Sequence, residues 1–505
     1  GRVSLELAEG GRNWVHVRVV DDATGRPVHC RVHFRSAAGI PYQPHGHHNH
    51  VTQNLGSWHY DVGGDVRLGQ RTYAYIDGTC QGWLPRGEVV VDVARGFEYE
   101  PLRQTVRIEP GQRDLTLRIG RVADLAAEGW WSGDSHLHFL STAGAQLEQR
   151  GEDLRVVNVL QTQWGALFTN TEEFSGRPSV TDGYVTYIGQ ENRQHELGHL
   201  VLWGMTEPIM PWCSDGPDEA ELGGALDATL SDWADRTHAQ GGTVVVAHFP
   251  NPNGEPAVLV ATGRADAVEM LAQSDDGMAE YYRYLNSGYR LPLVGGTDKM
   301  TSGVPVGLYR TYARLDEEFS YEAWCRAVRS GRTFLSGGPL VTLSVDGHEP
   351  GDTVGLSGPG TVSVRATVRS IFPLRSLEVV RNGEVVMRAD LGGGRQAEIS
   401  EEVRIDGNSW LACRAFGVDD HLDDWARPVF AHTSPVYLAC GGEWAMADPE
   451  GLRYIRTLVE GARGYVRHTA VRRDDRVTTH HHGEADHLAW LERPFNEALR
   501  ALDDR

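Results

Sequence analysis

Hydrophobic and polar positions divide the chain into stretches with different periods. From Val3 to about Gly120 short runs alternate: Val15-His-Val-Arg-Val-Val20, Val89-Val-Val-Asp-Val93 and Thr105-Val-Arg-Ile108. A period of two marks strands with one buried face, and Asp22-Ala-Thr-Gly-Arg-Pro27 supplies a turn. Beyond about Leu125 the rhythm changes. Val156-Val-Asn-Val-Leu160, Val185-Thr-Tyr-Ile188, Val244-Val-Val-Ala247 and Leu293-Val-Gly295 are short apolar or β-branched runs. Segments between them read as helices, such as residues 230–240, which stop at Gly241-Gly242. From about Pro339 alternation returns in Val341-Thr-Leu-Ser-Val345, Val362–Val368 and Leu377-Glu-Val-Val380, with Arg381-Asn-Gly-Glu384 as a hairpin turn. Residues 450–461 and 484–502 read as amphipathic helices, since Leu452, Ile455, Leu458, Leu488, Trp490, Leu491 and Leu499 need a surface to bury against.

The pattern predicts an α/β protein: a (β/α) TIM-like barrel over residues 123–337, β-sandwiches over 1–122 and 338–440, and a helical segment over 441–505. At 505 residues more than one core is expected. Hydrophobic content of 40% and charged content of 23%, with no apolar run near membrane-spanning length, predict a globular chain that stays out of the bilayer. The net charge of −21 predicts no nucleic-acid partner, because phosphate binding needs a basic stripe. Six scattered cysteines form no CxxC pair, and no signal-type segment follows Gly1, so the expected location is cytoplasmic.

The chemistry concentrates at predicted strand ends. Gly133-Asp134-Ser135-His136-Leu137-His138 closes one strand, and alternate residues put both imidazoles on one side. Glu191 follows the Val185 run, Leu197-Gly-His199 returns eight residues later, His248 ends Val244-Val-Val-Ala247, and Asp298 ends Gly295-Gly-Thr-Asp. Any one of these has an ordinary reading as a satisfied histidine or a loop acid. Six such ligands at strand ends predict a two-metal enzyme. His195, between Glu191 and His199, is a candidate ligand or proton shuttle. Lys299 is a candidate to pair with Asp298 or to hold a substrate anion. Phe139, Trp164, Phe168, Trp203, Trp212 and Phe249 are candidate walls for an apolar substrate, and Arg193, Arg290 and Arg310 are candidate anion contacts. The histidines at 45, 47, 48 and 50 read as a solvated loop, with a lid over the barrel mouth as the alternative. Thr479-His-His-His482 reads as an exposed turn.

The succession HxH, GxE, GH, strand-AH and GTD resembles the PHP (polymerase and histidinol phosphatase) branch of amidohydrolase-like barrels, within the group that includes carbaryl and carbofuran hydrolases. The N-terminal alternation resembles a carboxypeptidase regulatory-like sandwich. The barrel resemblance implies one metal on His136, His138, Glu191 and Asp298, and a second on Glu191, His199 and His248, with Glu191 bridging. Gly144 and Met300 stand where many PHP phosphoesterases place third-metal histidines, so the resemblance implies two metals and weakens a phosphoester reading.

Within that superfamily, Gly296-Thr-Asp-Lys-Met300, the chain length and Ala431-His-Thr-Ser-Pro-Val-Tyr437 are similar to nonheme diiron monooxygenases of platensimycin and platencin biosynthesis. This narrower resemblance implies Fe(II) ahead of Zn or Mn, O2 as co-substrate and hydroxylation of a bulky diterpenoid linked to coenzyme A. The alternative is a two-metal hydrolase of an ester, carbamate, amide or thioester. A third reading is a binding protein with a vestigial metal site. In each the expected partner is a small molecule, and the oligomeric state stays open.

Overall fold

The computed structural model describes residues 11–48, 51, 63–165, 167–214, 226–270, 275–423, 426–468 and 482–505. Their fold is mixed α/β, rich in sheet and sparse in helix. Towards the N-terminus a pair of sheets shares one core. One orders Thr79–Pro85, Arg12–Asp21 and Asp114–Ile119; the other orders Asp65–Leu68, Arg71–Ile76, Cys30–Ser36, Gly87–Ala94 and Leu102–Ile108. Alternation turns Val15, Val17 and Val19 of the first sheet inward onto Val32, Phe34, Val89 and Val91 of the second.

In the central region Trp130–Leu137, Val156–Trp164 and Tyr184–Gln194 pair in parallel in that order. The third strand then folds back on Gly198–Trp203, which runs antiparallel to Thr243–Val246. Thr243–Val246, Ala267–Met270 and Leu293–Gly295 are again parallel. On the other flank Arg310–Arg314 lies antiparallel to both Trp130–Leu137 and Thr333–Ser336. Val156–Trp164 carries apolar residues on both faces because both are covered. Val157 and Val159 meet Ala145 of the helix Thr142–Gly151, whose first turn is capped by the Ser141 hydroxyl. Val156 and Leu160 face the interior with Val185, Val201 and Trp324. Trp324, on the helix Tyr321–Arg329, closes that interior against Gly133, where a Cβ would come within 2.6 Å of the indole.

The expected TIM-like barrel between two sandwiches is borne out only as a mixed α/β fold, since antiparallel pairs stand among the parallel ones. Only three residues separate Gln194 from Gly198. A parallel neighbour needs a crossover of roughly a dozen residues, so a hairpin forms instead. At the C-terminal side Thr333–Ser336 pairs with Phe430–Thr433, and hydrogen bonding runs unbroken past residue 338. Among the described residues the strands beyond that point extend the central sheet, with a three-stranded sheet (Leu340–Val345, Gly360–Arg369, Gln396–Ile405) packed on the extension.

The helices Pro449–His468 and His487–Asp503 dock through Ile455, Val459, Leu491 and Phe495 onto a core that includes Trp233 and Leu259. Each such aliphatic or aromatic side chain stabilises the docking by about 1.5–3 kcal/mol. No helix among the described residues is long and apolar enough to cross a membrane.

Candidate metal centre

His136 and His138 stand at the end of Trp130–Leu137, buried, with their Nε2 atoms 3.0 Å apart. Glu191 lies inside the long strand Tyr184–Gln194 and reaches both: Oε1 is 3.6 Å from His136 Nε2, and Oε2 is 3.4 Å from His138 Nε2. Asp298 Oδ1 lies 3.4 Å from each of the same nitrogens. On the other side of Glu191, His199 Nδ1 and His248 Nε2 lie 3.2 and 3.7 Å from Oε1 and 3.0 Å from one another. The hairpin that replaces the expected crossover puts His199 there, because its register sets His199 opposite Arg193, two residues from Glu191.

These separations test whether cations fit. Zinc-like bonds of about 2.0–2.2 Å in a tetrahedral shell place neighbouring donors roughly 3.3–3.6 Å apart. The observed spacing of 3.0–3.7 Å brackets that range. Glu191 Oε2 and Asp298 Oδ1 are buried oxygens with no hydrogen bond of normal geometry, and such groups cost free energy unless something positive satisfies them. His136, His138 and Glu191 form one three-residue coordinating group, and Glu191, His199 and His248 form another. The structure thus contains a two-metal coordinating cluster with Glu191 common to both halves.

Neighbouring charges act on the same atoms. Burial works against a charged His136, but the carboxylates of Glu269, Asp298 and Glu191 outweigh it and lift its pKa to about 10. Burial likewise opposes ionisation of Glu191. Arg193 and the imidazoles of His199, His248 and His136 overcome it and hold that carboxyl well below its usual range. Burial pushes His138 down.

The supporting frame is only partly legible in the sequence. Glu269 is buried, accepts from His136 Nδ1 at 2.8 Å and from the His248 amide at 3.2 Å, and also holds the Ser135 hydroxyl. It fixes which face of the His136 ring points at the cluster. Its signal is an acid inside the apolar run Ala267-Val-Glu-Met270. Gly296 is glycine for space, since a Cβ there would fall 2.0 Å from Ser135 Oγ and 2.1 Å from Glu269 Oε1. Asp134 ties the two halves of the motif together, accepting from the His136 and Thr297 amides, the Thr297 hydroxyl and the Gly307 amide. Phe139, His248 and Asp298 all have left-handed backbone (φ 63°, 32° and 50°). Non-glycine residues adopt that region at a cost and gather where geometry is dictated by a site.

The other candidates are placed as follows. His195 is exposed on the turn after Gln194, outside both coordinating groups. Lys299 is fully buried and turned away from a substrate role. Its ammonium donates to the Thr301 and Val304 carbonyls, with Glu148 Oε2 at 3.6 Å. Arg310 is buried against Phe97 and the Glu152 carbonyl, and Arg290 stacks on Tyr437. Arg193 does lie at the site, with Nη1 3.7 Å from Glu191 Oε2. Trp164 and Phe139 flank His138, and Phe168 packs with Trp212, whereas Trp203 and Phe249 are core residues facing Trp324 and Tyr284. His47 and His48 each place Nδ1 on one oxygen of buried Asp65, at 2.8 and 2.7 Å. His50 and residues 479–481 lie outside the described residues.

No family model and no curated protein matches the chain. Similar solved structures include the following. PsfC from Pseudomonas syringae PB-5123 has a TM-score of 0.29 and 18% identity, over 41% of this chain and 90% of PsfC. The lesion-specific endonuclease PfuEndoQ from Pyrococcus furiosus has 0.28 and 14%, over 40% of this chain. Endonuclease Q in complex with a 27-mer duplex bearing an abasic lesion has 0.26 and 13%, also over 40%. This chain spans 56% of each endonuclease.

Two expectations change. The expectation of no nucleic-acid partner is corrected: two of these similar structures are of endonucleases, one of them with a duplex substrate. Net charge sums over the whole surface and does not by itself decide which partners a local field admits. The narrower likeness to diiron monooxygenases gains no support from these matches.

Proposed function

We propose that this protein is a two-metal hydrolase acting on an ester, carbamate, amide or thioester. His136, His138, Glu191 and Asp298 serve one cation, and Glu191, His199 and His248 serve the other. Two divalent cations held there would polarise a substrate oxygen and lower the pKa of water. The protein's own groups hold Glu191 ionised between the halves, fix the His136 tautomer through Glu269, and set Arg193 where negative charge collects.

The observation that carries the hydrolase reading is access to water. Side chains of His248, Asp298 and His199 are 18%, 15% and 10% exposed, whereas His136 and His138 are at 0%. An oxygen-activating centre needs a dry pocket that protects a reactive intermediate. A hydrolytic one needs water on one side of the cluster.

The test is elemental analysis of protein purified without added metal, followed by anaerobic assays on carboxylic esters, phosphoesters and a DNA duplex. About two equivalents of divalent metal with cleavage under anaerobic conditions is expected. Two irons with substrate-dependent oxygen uptake and no anaerobic cleavage would replace this reading with the oxygenase.

A further inference from the structure

We propose that the helix Pro449–His468 belongs to the metal centre: through Tyr465 and Tyr454 it positions the ligands of the second cation, His199 and His248. The inference rests on the two-metal assignment and not on the reaction that the metals serve. Both tyrosines are positioning residues, each acting through other side chains on a loop that carries a ligand.

Tyr465 holds the turn before His199. Residues 195–197 reverse the chain between Gln194 and Gly198, and amides in so short a turn must find acceptors outside the strand ladder. The fully buried Gln194 supplies one: its Oε1 accepts from the Glu196 amide at 2.9 Å and from the Leu197 amide. Its Nε2 donates to the Tyr465 hydroxyl at 3.1 Å, which keeps the oxygen end of the Gln194 amide on the turn. His199 follows two residues after Leu197, so the shape of the turn sets where its Nδ1 meets Glu191.

Tyr454 holds the loop after His248. His248 Nδ1 donates to the Asn251 carbonyl, which aims Nε2 at Glu191. Two residues on, Asn253 Nδ2 donates at 3.0 Å to Oε1 of Glu280, buried on the helix Asp275–Asn286. Arg283 of that helix pairs with the other Glu280 oxygen, and its guanidinium lies 3.9 Å over the Tyr454 ring. The turn and the loop also move as one. The Glu255 amide donates to the Leu197 carbonyl at 2.7 Å, and a Cβ on Gly254 would fall 2.3 Å from the Glu196 carbonyl oxygen. The ligands of the first cation are framed differently, by Asp134, Thr297 and Glu269. That asymmetry makes the effect of the helix selective.

Cobalt(II) titration of the metal-free full chain, followed by visible absorption and calorimetry, reads the two halves separately. Wild type should take up about two equivalents. Tyr465→Phe keeps the ring and removes the hydroxyl, and should weaken one equivalent about 3- to 10-fold with the other unchanged. Tyr454→Leu takes the ring from under Arg283 and should weaken the same equivalent about 2- to 5-fold. Glu280→Ala should weaken it about 10-fold or more. Glu280→Gln, whose carbonyl still accepts from Asn253, should recover part of that loss. On a His199→Ala background, which lacks this equivalent, Tyr465→Phe should change nothing further. Equal weakening of both equivalents, a further loss on the His199→Ala background, or a second equivalent indifferent to Tyr465→Phe would overturn the proposal. Uptake of at most one equivalent by wild type would instead sink the two-metal assignment beneath it. Tyr465-dependent uptake in a protein that hydrolyses nothing would leave the proposal standing and remove the hydrolase reading.

Discussion

Two of the places where this molecule buries charge are built differently. Along the seam where the N-terminal strands meet the central sheet, Arg95 faces Asp153, Arg121 reaches both Asp153 and Glu98, and Arg31 with the Tyr75 hydroxyl meets Glu152. Each acid has its base, and the carboxylate oxygens are taken up by partners. At the metal centre three carboxylates and four imidazoles crowd together, oxygens of Glu191 and Asp298 are left unsatisfied, and His136 is driven to hold an extra proton. Buried charge by itself therefore does not mark function. A buried set that does not balance, on backbone forced into the left-handed region, does.

Glu191→Gln breaks this contrast most severely. A neutral amide cannot bridge two cations, so bound metal should fall from about two equivalents to one or fewer. Hydrolysis should drop by at least about 10²–10³-fold, while the melting temperature changes little because nothing in the seam is touched. Metal analysis beside a thermal melt checks both halves, and full metal content would refute the shared-ligand assignment. Asp153→Asn is the mirror experiment. It strands Arg95 and leaves Arg121 with Glu98, and unpairing a buried ion costs about 3–5 kcal/mol. Denaturant unfolding should show that loss with metal stoichiometry intact.

The seam also carries a pH signature. Burial first, and then the charge of Asp153, pushes the Glu98 carboxyl up from 4.5 to about 7. Between those values the folded state binds more protons than the unfolded one, so stability falls as pH rises from about 4.5 to 7 and then levels. The shift corresponds to at most about 3 kcal/mol. Glu98→Gln should flatten that slope in denaturant melts taken across the range, and an unchanged slope would assign the titration to another group.

How far the sequence leads can be judged residue by residue. The ligands are legible because each ends or interrupts an apolar run, and a polar group in such a place needs a reason. Strand direction is not legible: the Val185 run and the Leu200 run look alike in either orientation, and only the short turn at 195–197 decides for a hairpin. Lys299 reads wrongly as an anion contact because adjacency to Asp298 in sequence says nothing about which way a buried ammonium turns. The seam leaves no trace in the sequence, since Arg95 and Asp153 are 58 residues apart and meet only through folding.

Glu269→Gln tests the smallest effect and the finest point of the comparison, because it removes a charge that belongs to the metal centre without removing a ligand. The carboxylate has three neighbours: the His136 ring N–H and the His248 amide on one oxygen, and the Ser135 hydroxyl on the other. Glutamine can still turn its carbonyl to the first two. Its amide then faces Ser135, whose hydroxyl rotates from donor to acceptor, so the ring orientation survives. What is lost is the negative charge that raises the basicity of His136, and outer partners of this kind are worth about 10–100-fold in metal affinity or activity. With the geometry kept, the low end is expected: about 10-fold weaker metal binding in a chelator competition. Glu269→Ala, which also frees the ring to turn, should lie at the high end. Equal losses in the two variants would mean that charge, and not orientation, is what Glu269 contributes. No loss in either would show that the cluster holds its metals without the support that the structure assigns to it.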